Sequence, residues 1–521
     1  MVGTQVAFNY VTGDIRVPLF AAEINAGPPS YSSKSPQVII APCKTGSKAA
    51  LSGKLYNCGY TDPNIICGAG SIAAEMLLYA RQMNPLGEIF VLDRGAIVGA
   101  QAAVGGIALA GSATSPGTLT RYIGGERYDV NVATGDTAAV VAAALVAKVA
   151  QGYTQFNRAM LAPVTTSVAS GGTPTASSVT LTANHPGTEG NGIPILAGLE
   201  GDEAEVPGIT ATTTAMAGGV GDADMNALLA RLGNAPADFI CGPYANVGQL
   251  NAVRDFLSVI GAGRAAPLVG LDGHYFSATP GNLSTLTAFG DARNDPHVSL
   301  IGALNAPHPL WCWTAALAGA CAFSKNLGRG LKTAIEIVRP MQGIVLAGLR
   351  PPKDPNDDFA PTDRDSLLRN GISTWHRTPG GQVVCDRIIS TYQTNAAGLP
   401  DTGFLDIGKV FGGVYVKRFM KNELLGKYPR SAMMEDNPQS IQGVVTPPQG
   451  KAIVVHAYNS LHGAGVVRQP DLFAQSVIVD FDYDNERANF YLPTAVTPGL
   501  MVFAVNETLF SDLSEQDPAD L

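Results

Sequence analysis

Residues 371–430 read GISTWHRTPGGQVVCDRIISTYQTNAAGLPDTGFLDIGKVFGGVYVKRFMKNELLGKYPR, and this stretch sets the fold class. Gly380-Gly381 is a turn, and Val383, Val384, Ile388 and Ile389 follow it in a segment rich in β-branched residues, which predicts a buried strand. From Ile407 to Tyr428 the apolar residues Ile407, Val410, Phe411, Val414, Tyr415, Leu424 and Leu425 recur at three- and four-residue spacing. That is the signature of one helix face. Lys417, Arg418, Lys421 and Lys427 crowd its second half, where cations meet the negative end of the helix dipole. The stretch is a scaffold with a basic end, and it carries no catalytic constellation.

Working outward, strands and helices alternate on both sides. Val38-Ile39-Ile40 reads as a short buried strand, Ile72 to Gln82 as a helix, and Ile89 to Leu92 as a second strand closing on Asp93. After residue 215 the pattern returns. Met225, Leu228, Leu229 and Leu232 form a helical face behind Asp222 and Asp224 and stop at Gly233. Phe239 to Cys241 is a strand, Val247 to Ile260 a helix and Pro267 to Leu271 another strand. Such repetition predicts an α/β core built on a mostly parallel sheet. Trp311, Trp313, Leu317 and Phe323 belong to an alanine-rich apolar helix whose place is the core.

Between these halves Gly, Ser, Thr and Ala dominate. Leu119 to Ile123 and Arg127 to Val132 flank Gly124-Gly125 as a hairpin, Asp136-Thr137 cap an alanine-rich helix to Val149, and Val179 to Thr182 is a strand. The segment 101–214 is therefore expected as an inserted, β-rich α+β domain on the outside, with little apolar surface for deep docking. Beyond Met433 the runs Ile453 to Val455, Val477 to Tyr483, Phe490 to Leu492 and Met501 to Val505 predict a β-rich C-terminal region over 437–521. In Val477 to Tyr483, the residues Val477, Val479, Phe481 and Tyr483 face one way, and that face calls for a covering sheet. At the other end Val6, Phe8 and Tyr10 alternate in an arm over residues 1–20, which reads either as a linking strand or as the first strand of its own domain.

Composition narrows the function. At 521 residues the chain exceeds one hydrophobic core. With 34 Lys and Arg against 43 Asp and Glu, a formal charge of −9, direct nucleic-acid binding is disfavoured. Only 15% of residues are charged and 59 are Gly, which suits a surface covered by neighbouring subunits. The seven Cys are scattered without a Cys-x-x-Cys, so reduced core thiols are expected and no metal site. No run of about 20 apolar residues exists and the first residues lack a signal-peptide pattern, so neither membrane insertion nor secretion is expected.

Three stretches invite a catalytic or nucleotide-binding reading. Gly68-Ala69-Gly70-Ser71-Ile72-Ala73 fits G-x-G-x-x-A, with Asp93 ending the next strand, which opens the alternative of an NAD-dependent oxidoreductase. The preceding Ile65-Ile66-Cys67 is short for a Rossmann first strand, and a glycine-serine helix start is the plainer reading. Gly46 to Lys54 has the wrong spacing for a phosphate loop. No serine-nucleophile turn occurs, and neither His274 nor His376 lies in a motif that would orient a base. His297 beside Asp295 reads as a structural loop histidine. No catalytic, cofactor or metal residue is assigned, and no enzyme activity is expected.

Several of these stretches together resemble the contractile tail sheath proteins of bacteriophages. The GIST turn, Ile388-Ile389-Ser390-Thr391-Tyr392-Gln393-Thr394-Asn395, the D-x-x-x-L-D of Asp401 to Asp406 and the closing Lys427-Tyr428-Pro429-Arg430 carry the likeness. Arg16, Pro18 and Glu23 near the start, Gly68, Gly70 and Ser71, Arg293-Asn294 with Pro296-His297, and Gly348 with Pro351-Pro352 extend it in order. The resemblance implies a subtilisin-like core over 21–100 and 215–436. It also implies a homo-oligomer of hexameric rings stacked helically around a tail tube protein, with baseplate and tail terminator proteins as further partners. Contraction would then drive the tube through the bacterial envelope for genome ejection, the particle having been assembled in the host cytoplasm. Terminal arms would link subunits by strand exchange through Val6, Phe8, Tyr10, Val477, Val479, Phe481 and Tyr483.

Overall fold

The computed structural model describes residues 35–169, 173–201 and 203–505. Val6, Phe8 and Tyr10, and with them the whole arm over 1–20, lie outside these residues. The framework is a six-stranded sheet in the order Val298–Ala303, His274–Pro280, Phe239–Cys241, Gln37–Ala41, Ile89–Asp93, Tyr56–Asn57. The first five run parallel and the last is an antiparallel edge. Gln37–Ala41 sits at the centre, with Val38 opposite Ile240 on one side and Phe90 on the other. All five of its residues are buried, which is why it reads as a continuous apolar run without polar alternation.

The two faces hold separate cores. Ile39, Val91, Phe239, Phe276 and Ile301 point to one, and Val38, Ile40, Leu92, Ile240, Tyr275 and Leu300 to the other. The first face is covered by the helices Ile72–Met83 and Leu310–Ser324. The second of these is buried almost all round, as an apolar helix without a polar stripe must be. They approach closely at Gly319, where a Cβ would meet the Ala80 carbonyl at 2.8 Å. Trp313 packs edge-on against Trp375 at 5.0 Å, whereas Phe323 turns outward beneath the Arg329 guanidinium. Helices Met225–Leu232, Val247–Leu257, Leu283–Asp291 and Pro361–Arg369 cover the second face.

The long helix runs from Ile407 to Lys427 with Asp406 as its N-cap. Ile407, Phe411 and Tyr415 are buried as their spacing predicts, and Phe411 stacks on Phe239 at 4.6 Å. Leu425 does not join them; it is exposed, and Val416 and Met420 are buried instead. The glycines decide this. A Cβ on Gly408 would sit 2.9 Å from the Val338 carbonyl and one on Gly412 2.8 Å from Val496, so the glycine side lies closest to its neighbours.

Other expectations change with context. Val383–Arg387 is a buried strand, but it pairs antiparallel with Thr374–Arg377, apart from the central sheet, and ends before Ile388. Residues 267–271 are loop: Gly270 has φ +66°, and the buried Arg264 guanidinium holds the segment by donating to the carbonyls of Gly233, Ala235 and Asp272. In the C-terminal part, Ile453 to Val455 lies inside the helix Pro447–Gly463, whose buried Val454, Ala457, Tyr458 and Leu461 follow helical spacing. This helix starts with a capping box of Thr446 and Gln449, and a shorter one, Pro470–Ser476, follows. The region is mixed rather than β-rich: its longer strands are one hairpin, Ile478–Asp482 with Arg487–Tyr491, and residues 501–505 form no ladder. A run of three β-branched residues cannot by itself be told from part of a helix.

Between Ile89–Asp93 and Met225–Leu232 the chain builds antiparallel sheets, one of four strands centred on Val104–Gly111 and Ala176–Ala183 and one of three around the Gly124-Gly125 hairpin. The helix Ala138–Gln151 packs among them. Thr137 is its N-cap without a side-chain bond, and the Asp136 carboxylate accepts from the Ala133 amide in the preceding turn. Docking is not shallow. The apolar interior runs without a break into that of the first face, and Phe156 packs edge-on against Tyr79 at 5.5 Å.

Adjacent glycines of the long helix should therefore respond oppositely to alanine. Gly413→Ala, with nothing within 4 Å of its added methyl, should stabilise by up to about 1 kcal/mol through helix propensity alone. Gly412→Ala should destabilise by about 1–3 kcal/mol by overpacking against Val338 and Val496, as read in denaturant melts.

Candidate functional site

Of the residues expected to link subunits, the described ones, Val477, Val479, Phe481 and Tyr483, lie on or beside the C-terminal hairpin Ile478–Asp482 with Arg487–Tyr491. Val477 caps the Pro470–Ser476 helix, its amide donating to the Phe473 carbonyl at 2.8 Å, and is 2% exposed. Val479 lies opposite Phe490, Phe481 is 7% exposed, and Tyr483 stands at the rim with 42% exposed. The turn is held by Asp482, which accepts from the Asn485 amide and side chain at 3.1 and 2.8 Å. The inward face predicted from alternation is present, but a helix covers it: Val479 and Phe490 both close over Gly450 of Pro447–Gly463. The expected covering sheet is thus replaced by a helix of the same chain, because Gly450 lets the hairpin lie directly on that helix. Among the described residues no third strand joins the hairpin.

A trough leads from this hairpin along the outer side of the long helix. Its hairpin end, about 640 Å³, is lined by Leu424, Leu425, Tyr428, Phe481 and Phe490. Its larger end, about 980 Å³, is lined by Phe404, Met420 and Leu492 together with Lys409, Lys421 and Arg468. The helix is fixed from behind by charge. Arg418 donates to both oxygens of Asp238 at 2.9 and 2.6 Å and to Asp272 at 3.2 Å, and Lys417 pairs with Asp272. Both aspartates are nearly buried and Arg418 is largely so, which makes the Arg418–Asp238 pair desolvated and positional, whereas Lys417 is half exposed and its pair with Asp272 is closer to a surface ion pair. The spacing of Lys417 and Arg418 is legible in the sequence; their partners, about 145 and 180 residues away, are not.

The glycine turn before Ile72–Met83 is a helix start. Residues Pro63–Cys67 form a short helix where a dinucleotide fold needs a strand, and Ser71 is the N-cap, its hydroxyl accepting from the Ala74 amide. The space a phosphate would need is filled. Asn184 donates to the Gly70 carbonyl at 2.8 Å, and a Cβ on Gly70 would meet Asn184 and the Ala162 carbonyl within 3 Å. Asp93 is occupied in accepting from the Cys43 amide at 2.7 Å. Sequence reading missed one pair: His274 Nε2 lies 2.8 Å from Ser299 Oγ. Both are buried, no hydrogen bond reaches His274 Nδ1, and burial holds the imidazole well below its usual pKa, so no base oriented by an acid is present. Among the described residues no cluster has a metal-binding arrangement, and no helix is long and apolar enough to cross a membrane.

The inserted region meets the core over a buried carboxylate. Glu75 accepts from the Trp311 indole at 2.7 Å and from the Tyr153 hydroxyl at 3.3 Å. Burial pushes its carboxyl up to about 7, against the pull of those hydrogen bonds. Nearby Glu126 is pushed up to about 8, first by burial and then by Glu75, with Arg350 opposing. A single apolar-looking helix gave no sign of this, because Glu75 is the one carboxylate on its buried side.

Comparison with known proteins matches residues 218–391 to the central domain of phage tail sheath proteins. The chain is 29% identical over 489 residues to the Mu-like prophage FluMu tail sheath protein of Haemophilus influenzae, covering 92% of this chain and 94% of that one. Among solved structures it is similar to a sheath tail protein from Desulfitobacterium hafniense, with TM-score 0.45, 12% identity, and 91% and 100% of the two chains covered. It is similar also to a sheath tail protein from Listeria innocua, with TM-score 0.45, 11% identity, and 91% and 93% covered.

A carboxyl raised from 4.5 to about 7 contributes stability that is complete below the lower value and is lost as pH climbs to the upper. Glu75→Gln keeps an acceptor for Trp311 and cannot ionise. Its stability should fall less than the parent's between pH 4.5 and 7, and at pH 8 the difference should favour the variant by up to about 3 kcal/mol in urea melts.

Proposed function

We infer that this chain, a relative of the phage tail sheath proteins that carries their central domain, is the repeating subunit of a contractile tail sheath. The observation that carries the reading is the match to a tail sheath protein along nearly the whole of both chains, with the central domain inside it. The proteins it matches are structural tail components, not enzymes. The subunits polymerise around a tail tube, in hexameric rings stacked helically between baseplate and terminator proteins. They contract by rigid-body rearrangement to drive the tube through the bacterial envelope and release the genome. Assembly takes place in the host cytoplasm, on a subtilisin-like core.

Exposed apolar surface supports assembly. Leu500, Val502, Phe503 and Val505 lie in a segment without a ladder, and the trough beside the long helix is lined by apolar side chains together with basic ones. A monomer leaves such surface uncovered only at a cost, whereas a polymer buries it. The hairpin fits the linkage reading: a two-stranded ribbon is marginal alone and its edges can accept a strand, here proposed to be the arm bearing Val6, Phe8 and Tyr10 of a neighbour.

Negative-stain images of the concentrated protein should show striated cylinders; compact closed oligomers would overturn the proposal. Val479→Pro removes an amide donor and fixes φ in the hairpin, and Phe503→Asp charges a side chain that is 83% exposed. Both variants should remain soluble with near-native circular dichroism and fail to form cylinders. Normal assembly of both would remove the C-terminal segment from the linkage.

A further inference from the structure

Three of the seven cysteines meet at one place. Cys43 follows the central strand, Cys58 follows the edge strand, and Cys67 ends the short helix before the glycine turn. The backbones of the first and last are joined, since the Lys44 amide donates to the Cys67 carbonyl at 2.8 Å, and Gly68 packs directly on Lys44. Cys43 and Cys67 therefore spring from adjoining backbone, and both are buried free thiols. That backbone hydrogen bond keeps the two Cα atoms near the separation a disulfide spans. Cys58 is turned aside, its thiol donating to the Tyr56 carbonyl at 3.7 Å. Cys67 is fully buried and Cys43 is 8% exposed, so an oxidant arriving from solvent meets Cys43 first.

We propose that Cys43 and Cys67 form a dithiol pair that closes to a disulfide when the protein meets a peroxide. The step balances. The Cys43 sulfur attacks one peroxide oxygen and breaks the O–O bond; the thiol proton leaves with the departing hydroxide as water, and a sulfenic acid remains. The Cys67 sulfur then attacks that sulfur, the S–O bond breaks, and the hydroxide takes the Cys67 proton as a second water. Two thiols lose two electrons and one peroxide is reduced to two waters.

The neighbouring Cys67 thiol and then burial hold Cys43 protonated, so closure is slow at neutral pH and quickens as pH rises. The reduced pair is the state for a reducing cell interior, and the closed pair for a particle outside it. Closure would tie the end of the central strand to the turn that caps Ile72–Met83, constraining the unfolded chain and raising the thermal midpoint.

The test is a peptide map of the full-length folded protein after hydrogen peroxide treatment, blocked with an alkylating agent and digested without reductant. The expected product is a Cys43–Cys67 linked peptide, lighter by about 2 Da for the two hydrogens lost, absent after phosphine reduction. It should persist in Cys58→Ser. In Cys67→Ser it should vanish, leaving a sulfenic acid on Cys43 that a dimedone probe traps. Absence of the linked peptide from the parent, a link that uses Cys58, or a link formed only after denaturation would each overturn the proposal. Should Cys67→Ser fail to fold, the parent map alone decides.

Discussion

A parallel sheet with apolar residues on both faces must be covered on both, and the described architecture follows from that requirement. Gln37–Ala41 sends Ile39 to one core and Val38 and Ile40 to the other, and each core acquires its own helices. Parallel strands also need long returns. One return is the helix Ile72–Met83, and the next has grown into the inserted region between Ile89–Asp93 and Phe239–Cys241. That insertion docks on the helix covering the first face, which explains why its interior is continuous with the core.

The long helix couples this framework to the C-terminal region. Its inner side is tied to the amino ends of the sheet strands by Arg418 and Lys417 on Asp238 and Asp272, and Gly408 and Gly412 bring its backbone against neighbouring segments. Breaking one partner of the desolvated Arg418–Asp238 pair leaves a buried charge, so the position of the helix is strongly held. The outer side carries apolar side chains together with basic ones and runs on to the hairpin.

The inserted region is joined to the core through polar groups, of which Glu75, Arg94 and the Glu189 carboxylate are buried. Glu75 is satisfied by Trp311 and Tyr153, Asn184 bonds the carbonyls of Gly70 and Ala162, and Arg94 pairs with Glu189 at 2.8 Å. Buried polar contacts of this kind fix one orientation, because any other docking leaves them unpaired.

Local signals in the chain determined much of this. The apolar runs at Val38 to Ile40, Ile89 to Leu92 and Phe239 to Cys241 set the buried strands. Ser71 and Gly233 marked a helix start and a helix end, and Gly124-Gly125 marked a hairpin, since caps and turns depend on neighbours a few residues apart. The ordered motifs also pointed to the sheath relatives. Only the tertiary structure decided that Ile453 to Val455 is helical, that Leu425 faces outward, that the phosphate-like turn is plugged by Asn184, and that a helix covers Val479 and Phe490. Each of these depends on which distant residue fills the adjoining space, and packing and desolvation over separations of a hundred residues leave no periodic trace in the sequence.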